Sequence, residues 1–168
     1  MKKMFLILMA VALPLFAMAQ DIKVGYLNSQ EVMMMMPEVS DVEKQLATYN
    51  EQNTKYLQGM QEEIQAKYNK YLEEKETLSP AIARVQEEEL MGLQQRYETA
   101  QQTLYQESQS KQMELIKPLQ EKLIAAIATV SKKQGLLFTY DTISGALLYQ
   151  SEKMIDITSA VKKELGIL

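Results

Sequence analysis

The sequence predicts an α+β protein that is mostly helical, with a long antiparallel helical hairpin, the arm, carried by a small β-rich body. Between Glu38 and Lys117 the chain is rich in Gln, Glu, Lys, Leu and Ala, which favour helices. Apolar residues recur there at intervals of eleven, or about 3.67 residues per helical turn. Short β-like segments flank this stretch, so both ends of the chain form the body. The main apolar track is Tyr49, Met60, Tyr71, Ile82, Leu93, Leu104, Leu115 and Ala126.

The N-terminal segment Met1–Ala19 has the features of a secretory signal peptide. Lys2 and Lys3 precede an apolar run, and Ala17-Met18-Ala19 matches a small-x-small cleavage site that leaves Gln20 first. The apolar run is short for a membrane span. The alternative to a cleaved signal peptide is an uncleaved membrane anchor. The sequence has no Cys, which excludes a lipoprotein anchor. We therefore expect an exported and soluble mature chain.

The body begins with a predicted strand over Asp21–Leu27. Its alternating pattern places Ile22, Val24 and Tyr26 on one face. Asn28 is the predicted N-cap of a short helix, with Glu31 as the reciprocal partner three residues later. Pro37 is expected to end that helix and to start the long one, because the residue before a proline is pushed out of helical geometry.

The arm is predicted to contain two helices, Glu38–Leu78 and Pro80–Lys133. At 1.5 Å per residue their lengths are roughly 60 Å and 80 Å. Ser79 can cap the second helix at the tip, and Pro80 suits its first turn. Pro118 predicts a kink or a missing hydrogen bond. We expect the second helix to leave the arm and enter the body at that residue.

The C-terminal part of the body is predicted to contain further strands. Gly135 ends the long helix. Residues 136–140 form an almost continuously apolar strand that we expect to be covered on both faces. A turn over 141–145 leads to a return strand over 146–149, and another strand covers 154–157. Thr158 is the predicted cap of a last helix, which ends at Leu165.

Composition and charge exclude several functions. The 168 residues include no Cys, His or Trp, so thiol chemistry, imidazole bases and zinc fingers are excluded. The stretch Glu38–Lys117 has 9 basic and 15 acidic residues, and the rest of the mature chain is neutral. Such an acidic arm argues against nucleic acid as a partner. Glutamate clusters on helices are typical of solvated faces, so we expect no metal and no cofactor.

Several short motifs, in a characteristic order, resemble the Skp (OmpH-like) family of periplasmic chaperones. They are Lys23-Val24-Gly25-Tyr26-Leu27-Asn28-Ser29-Gln30-Glu31-Val32, Pro37-Glu38, the break at Leu78-Ser79, Lys117-Pro118-Leu119, Lys132-Lys133-Gln134-Gly135 and Asp156-Ile157-Thr158. The resemblance covers essentially the whole mature chain. It implies a homotrimer in which a small β-rich trimerisation body carries three helical arms around a cavity. There, without ATP, unfolded outer-membrane β-barrel proteins are held.

The resemblance gives the domains a role: a signal peptide (1–19), a body that oligomerises (20–37 and 118–168) and an arm (38–117) with its tip near 79–80. It implies no enzyme activity, and no nucleophile–base pair or phosphate loop is visible in the sequence. This arm is acidic, whereas the arms of the best-known members are basic. That difference argues against direct binding to lipid or lipopolysaccharide.

The sequence offers two sets of candidate residues, one for client binding and one for oligomerisation. The client-binding candidates are Tyr49, Tyr56, Met60, Tyr68, Tyr71, Tyr97 and Tyr105. The alternative for each is packing between the two arm helices, because stripes at helical spacing usually form a core. The oligomerisation candidates are Leu119, Leu123, Ile127, Leu137, Leu147 and Tyr149. The alternative function is an exported coiled-coil scaffold, or an adaptor subunit of the cell envelope, without client-holding activity.

Overall fold

A computed structural model describes residues 22–145 and 147–167, so the predicted signal peptide lies outside the described residues. The elements are β1 (Val24–Leu27), α1 (Ser29–Met34), α2 (Pro37–Glu74), α3 (Pro80–Gln134), β2 (Phe138–Asp141), a 3-10 helix (Thr142–Ser144), β3 (Ile155–Asp156) and α4 (Thr158–Glu164). Two long helices and a small sheet confirm the predicted α+β, mostly helical fold. The described residues fall into two compact units. They are an arm unit, Met36–Glu121, and a body unit that extends up to Met35 and resumes at Lys122.

The body unit is built on a three-stranded parallel sheet in the order β2-β1-β3. Val24 is opposite Phe138 and Leu27 is opposite Asp141, while Gly25 is opposite Ile155. The central strand therefore comes from the start of the chain, and both edge strands come from its end. Parallel neighbours need long connections, and the arm occupies the connection between β1 and β2.

The predicted return strand over 146–149 is wrong for the residues that the structure describes there. Leu147, Leu148 and Tyr149 form no strand. Gly145, in the left-handed conformation at φ 61°, ends the 3-10 helix as the predicted turn requires. The Leu147 N–H then donates to the Tyr140 hydroxyl at 2.8 Å instead of entering a β-ladder. Strand β2 therefore pairs with β1 and not with a return strand. Its two faces are not both covered as predicted, since Phe138 is 54% exposed.

The hydrophobic core of the body joins β1, α1, the C-terminal part of α3 and α4. Its buried members are Leu27, Val32, Leu123, Ala126, Val130, Ile157 and Val161. The buried face of β1 is that of Gly25 and Leu27, whereas Val24 and Tyr26 are half-buried and Ile22 is 72% exposed. A side chain at Gly25 would meet Leu136 Cδ1 at 2.5 Å, so glycine allows β1 to approach its neighbours closely.

Polar contacts fix α1 against the end of the chain. The Glu31 N–H donates to Asn28 Oδ1 at 3.0 Å, which confirms the predicted cap. The predicted reciprocal contact from the Glu31 side chain to Asn28 is wrong, because the Glu31 carboxylate pairs with Lys162 at 2.7 Å. At the C-terminal end of β2, Asp141 accepts from the Ser29 N–H at 3.2 Å and from the Ser29 hydroxyl at 2.5 Å. The Ser29–Asp141 and Glu31–Lys162 contacts each join parts of the sequence more than a hundred residues apart.

Two helix ends follow the predicted local signals, and two differ from the prediction. Gly135, at φ 65°, ends α3 as predicted. Thr158 does not cap α4, because the cap position is Ile157 and the Thr158 N–H donates to Asp156 Oδ1 at 2.8 Å. In the arm unit, α2 ends at Glu74, four residues before the predicted end. Ser79 caps α3 through an N–H of Ile82 at 3.4 Å, and α3 continues through Pro118.

Candidate functional site

The two helices of the arm unit pack along one apolar seam. We define the arm seam as the buried or half-buried positions that α2 and α3 present at alternating spacings of three and four. Its main members are Val42, Leu46, Tyr49, Leu57, Met60, Ile64 and Tyr71 on α2, and Leu90, Leu93, Tyr97, Ala100, Leu104 and Leu115 on α3. The seam contains most of the predicted eleven-residue track. Ile82 is the exception near the tip, where it is 51% exposed.

Polar bonds across the seam show that the helices are antiparallel and fix their register. The Tyr49 hydroxyl donates to Glu107 at 3.2 Å. Asn53 donates to the Ser108 hydroxyl at 3.2 Å, and that hydroxyl donates to Asn50 at 3.1 Å. Because a slip of one residue would break these pairs, they specify one alignment of two otherwise similar apolar stripes.

Two further pairs cross the seam closer to the tip. The Tyr71 hydroxyl donates to Glu87, and Lys67 pairs with Glu89. The hydrogen bond to Glu87 is the main cause that raises the pKa of Tyr71. Lys67 lowers the pKa of Glu89, with a smaller contribution from Arg96. Glu89 therefore remains an anion, and Tyr71 remains neutral, at neutral pH.

The structure divides the client-binding candidates into two groups. Tyr49, Met60, Tyr71 and Tyr97 lie in the arm seam, and Tyr71 is only 6% exposed. Tyr56, Tyr68 and Tyr105 project from the seam into solvent, with exposures of 59%, 47% and 66%. The exposed three could contact another molecule without disturbing the hairpin. Client binding by any of the seven stays a prediction.

Sequence reasoning missed other exposed apolar side chains of the arm unit. These are Leu72, Ile82, Val85, Met91 and Met113. Ile82 was assigned to the seam track, and the other four lie off the track. Their signal in the sequence is this off-track position, since an apolar residue outside the seam period of a two-helix arm must face solvent.

The oligomerisation candidates are also divided. Leu123 belongs to the core of the body unit, and Ile127 packs against that core. Leu119 is half-buried. Leu137 and Tyr149 are 69% and 80% exposed, and Leu147 is 41% exposed. Their role in assembly stays a prediction.

Sequence reasoning also missed Leu148, which is fully exposed, and Phe138. In a strand over 146–149, Leu147 and Tyr149 would share one face and Leu148 would lie on the other. Without that strand, all three residues of the segment 147–149 are exposed.

Comparison with known proteins identifies the family. A profile described as outer membrane protein (OmpH-like) matches residues 23–165. The chain belongs to the OmpH-like family. This match spans both the body and the arm, as the order of the short motifs predicted.

Individual relatives agree with this assignment. The chaperone protein Skp of Yersinia enterocolitica is 26% identical over 159 residues, covering 94% of each chain. The chaperone protein Skp of Pectobacterium atrosepticum is 23% identical over 145 residues, covering 85% of each. A crystal structure described as that of an OmpH-like outer membrane chaperone from Caulobacter crescentus superposes with a TM-score of 0.73 at 19% identity. It covers 86% of this chain and 83% of the other.

Membership of the OmpH-like family supports a chaperone role for this chain, and chaperones are not a class of enzyme. Within residues 22–145 and 147–167, no helix has the length and apolar character needed to cross a bilayer. The same residues contain no group of three or more carboxylates that could hold a metal ion.

Proposed function

We propose that this protein is an ATP-independent periplasmic holdase, which binds unfolded outer-membrane β-barrel proteins in a cavity between the arms of a homotrimer and prevents their aggregation. One observation carries the proposal: the arm unit leaves large apolar side chains exposed on both helices after its own seam is filled. Tyr56, Tyr68 and Tyr105 are each about half exposed or more. Folding of the hairpin does not require this surface, so it is available to another chain.

The chemistry of these side chains suits an unfolded client. Tyrosine and methionine make contacts that depend little on direction, and methionine adapts to irregular surfaces. Each contact is weak, so a client gains affinity only by touching several arms or several points on one arm. Folding of the client competes with such binding by mass action, so release needs no nucleotide.

The homotrimer is part of the proposal, and the exposed apolar residues of the body unit support it. Leu137, Leu148 and Tyr149 are 69%, 100% and 80% exposed, which is unusual for such side chains in a monomer. Light scattering on the mature protein should give the mass of a trimer. We expect Leu148→Ser with Tyr149→Ser to shift the mass towards the monomer. The control is Met91→Ser with Met113→Ser on the arm, which should leave the mass unchanged. A wild-type monomer at micromolar concentration would contradict the trimer.

Aggregation of a client tests the holdase directly. A urea-unfolded outer-membrane β-barrel protein is diluted into buffer with or without the mature protein, and light scattering is followed. We expect suppression at one trimer per client. The variant Tyr56→Ser, Tyr68→Ser, Tyr105→Ser should suppress several-fold less while keeping its oligomeric mass. The matched control replaces three exposed glutamines of the same helices, Gln58, Gln61 and Gln102, with serine.

Two outcomes would redirect the proposal. No suppression by wild-type trimer would reject the holdase and leave the envelope scaffold or adaptor as the better explanation. Equal loss in the tyrosine and glutamine variants would reject the exposed tyrosines as client contacts. The periplasmic location rests on the predicted signal peptide. Mass spectrometry of the protein from periplasmic extract should therefore find Gln20 as its first residue.

A further inference from the structure

An open groove runs along one side of the arm unit, between α2 and α3. Its volume is about 710 Å³, and it lies wholly within the arm unit. Met60, Leu93 and Leu104 from the arm seam form its apolar floor, and Tyr56 lines one wall. We call this site the arm groove. Small side chains on α3, among them Ala100, line the groove beside this floor.

The arm groove has a charged rim. Glu63 of α2 and Glu107 of α3 line it, together with Arg96. Glu107 accepts a hydrogen bond from the Tyr49 hydroxyl. Arg96 also acts on Glu89, whose pKa is lowered mainly by Lys67 and then by Arg96. The rim therefore carries two carboxylates and one cation, Arg96, so its net charge is negative.

Charge on the rest of the arm unit does not neutralise this rim. The unit has 16 acidic and 9 basic residues, a net charge of −7. Seven of the nine cations lie in ion pairs with arm carboxylates, namely Lys44, Lys55, Lys67, Lys70, Arg84, Lys111 and Lys117. Across residues 22–145 and 147–167, no ion pair involves Glu63 or Glu107. Glu63 and Glu107 can therefore form ion pairs with a cationic side chain of a ligand.

The dimensions suit a short extended peptide. Along α3 the lining residues Arg96 and Glu107 are about 16 Å apart, at 1.5 Å per residue. An extended chain rises about 3.3 Å per residue, so roughly five residues fit along this length. Alternate side chains of an extended segment point to opposite sides, so two or three can face the apolar floor. Residues at either end of the segment then lie beside the rim.

We propose that the arm groove is a subsite for a short extended segment of an unfolded polypeptide that has apolar side chains at alternate positions and Lys or Arg beside them. The proposal rests on the holdase function and adds a charge preference to it. The floor supplies sequence-tolerant apolar contact. Glu63 and Glu107 select segments that carry positive charge and disfavour acidic ones.

A pair of labelled peptides tests this preference. Both have the same apolar residues at alternate positions of a nine-residue chain, and the two flanking polar positions are Lys in one and Glu in the other. Binding to the full mature protein is followed by fluorescence anisotropy. We expect the Lys peptide to bind about tenfold more tightly at low salt, from two exposed ion pairs. The ratio should fall to about twofold or less at roughly 0.5 M salt because of screening.

Paired variants locate the effect. Glu63→Gln with Glu107→Gln should reduce the Lys preference to about twofold or less. The control is Glu62→Gln with Glu98→Gln, which removes the same charge from two exposed arm carboxylates outside the groove lining. It should leave most of the preference. Tyr56→Ser should weaken both peptides by a similar factor.

The outcomes separate this proposal from the function on which it rests. No preference for the Lys peptide, or equal losses in the two pairs of Gln variants, would overturn the groove as the selective site. If the same wild-type sample still suppresses client aggregation, the holdase stands and the groove alone is rejected. If it does neither, both proposals are rejected.

Discussion

Replacing Leu93 with alanine tests whether one apolar seam holds the arm unit together. Leu93 is 4% exposed and lies in the arm seam, whereas Met91, two residues earlier on the same helix, is 64% exposed. Leu→Ala removes three carbon atoms, which corresponds to about 2.4 kcal/mol at about 0.8 kcal/mol per buried methylene. The arm groove borders Leu93, so water or neighbouring side chains can fill part of the cavity and the additional cavity cost is small.

We therefore expect Leu93→Ala to lower the free energy of local opening of the arm by about 2.5 kcal/mol. Tenfold in an equilibrium constant corresponds to about 1.4 kcal/mol, so opening becomes about 60-fold more frequent. Hydrogen exchange with mass spectrometry measures this directly, because protected amides exchange in proportion to the open population when closing is fast. Peptides over 55–72 and 86–100 should exchange faster by that factor.

Met91→Ala is the control variant for this prediction, and the amides of the body unit are the internal reference. Met91→Ala should change exchange by about twofold or less, since exposed substitutions usually cost under about 0.5 kcal/mol. Amides of β1 and α4, which belong to the body unit, should not change. An acceleration below fivefold for Leu93→Ala would mean that the seam at Leu93 does not stabilise the arm. An equal acceleration in the body would mean that the arm does not open as a separate unit.

Three further predictions concern the body and the tip. Gly25→Val should destabilise the body by about 1–3 kcal/mol, because the new side chain meets Leu136 and Thr139. Faster hydrogen exchange of the β1 amides would show this loss of stability. Unchanged hydrogen exchange would contradict the close approach at Gly25. Burial acts to raise the pKa of Asp141, but hydrogen bonds from Ser29 and Ile143 outweigh it, so the net pKa is lowered. The resulting stability is present above the ordinary aspartate pKa of about 4 and is lost as pH falls through the lowered value, so Asp141→Asn should flatten the fall of the thermal midpoint below about pH 4. Ser79→Ala removes the cap of α3 and should cost about 1 kcal/mol, seen as several-fold faster exchange confined to the first turn of α3.

Much of the arm was predictable because its information is local. Helix ends follow caps and breakers, such as Ser79 and Gly135, whose effects act within a few residues. The eleven-residue track predicted the seam, since residues spaced at helical periods share a face. The net charge of the arm needs only a count of side chains. These features establish a long acidic two-helix arm before any tertiary contact is considered.

The tertiary structure decided what depends on partners distant in sequence. The parallel order β2-β1-β3 pairs Val24 with Phe138, and no local pattern encodes the choice of neighbour. Strand propensity alone favours a return strand at Leu147. In the structure the Leu147 N–H donates to the Tyr140 hydroxyl instead. The same holds for the tyrosines, because Tyr68 and Tyr71 are only three residues apart on α2, yet Tyr71 is buried and Tyr68 is exposed. Sequence periodicity thus determined that an apolar seam exists, whereas the packing of α2 on α3 decided which side chains it leaves for another molecule.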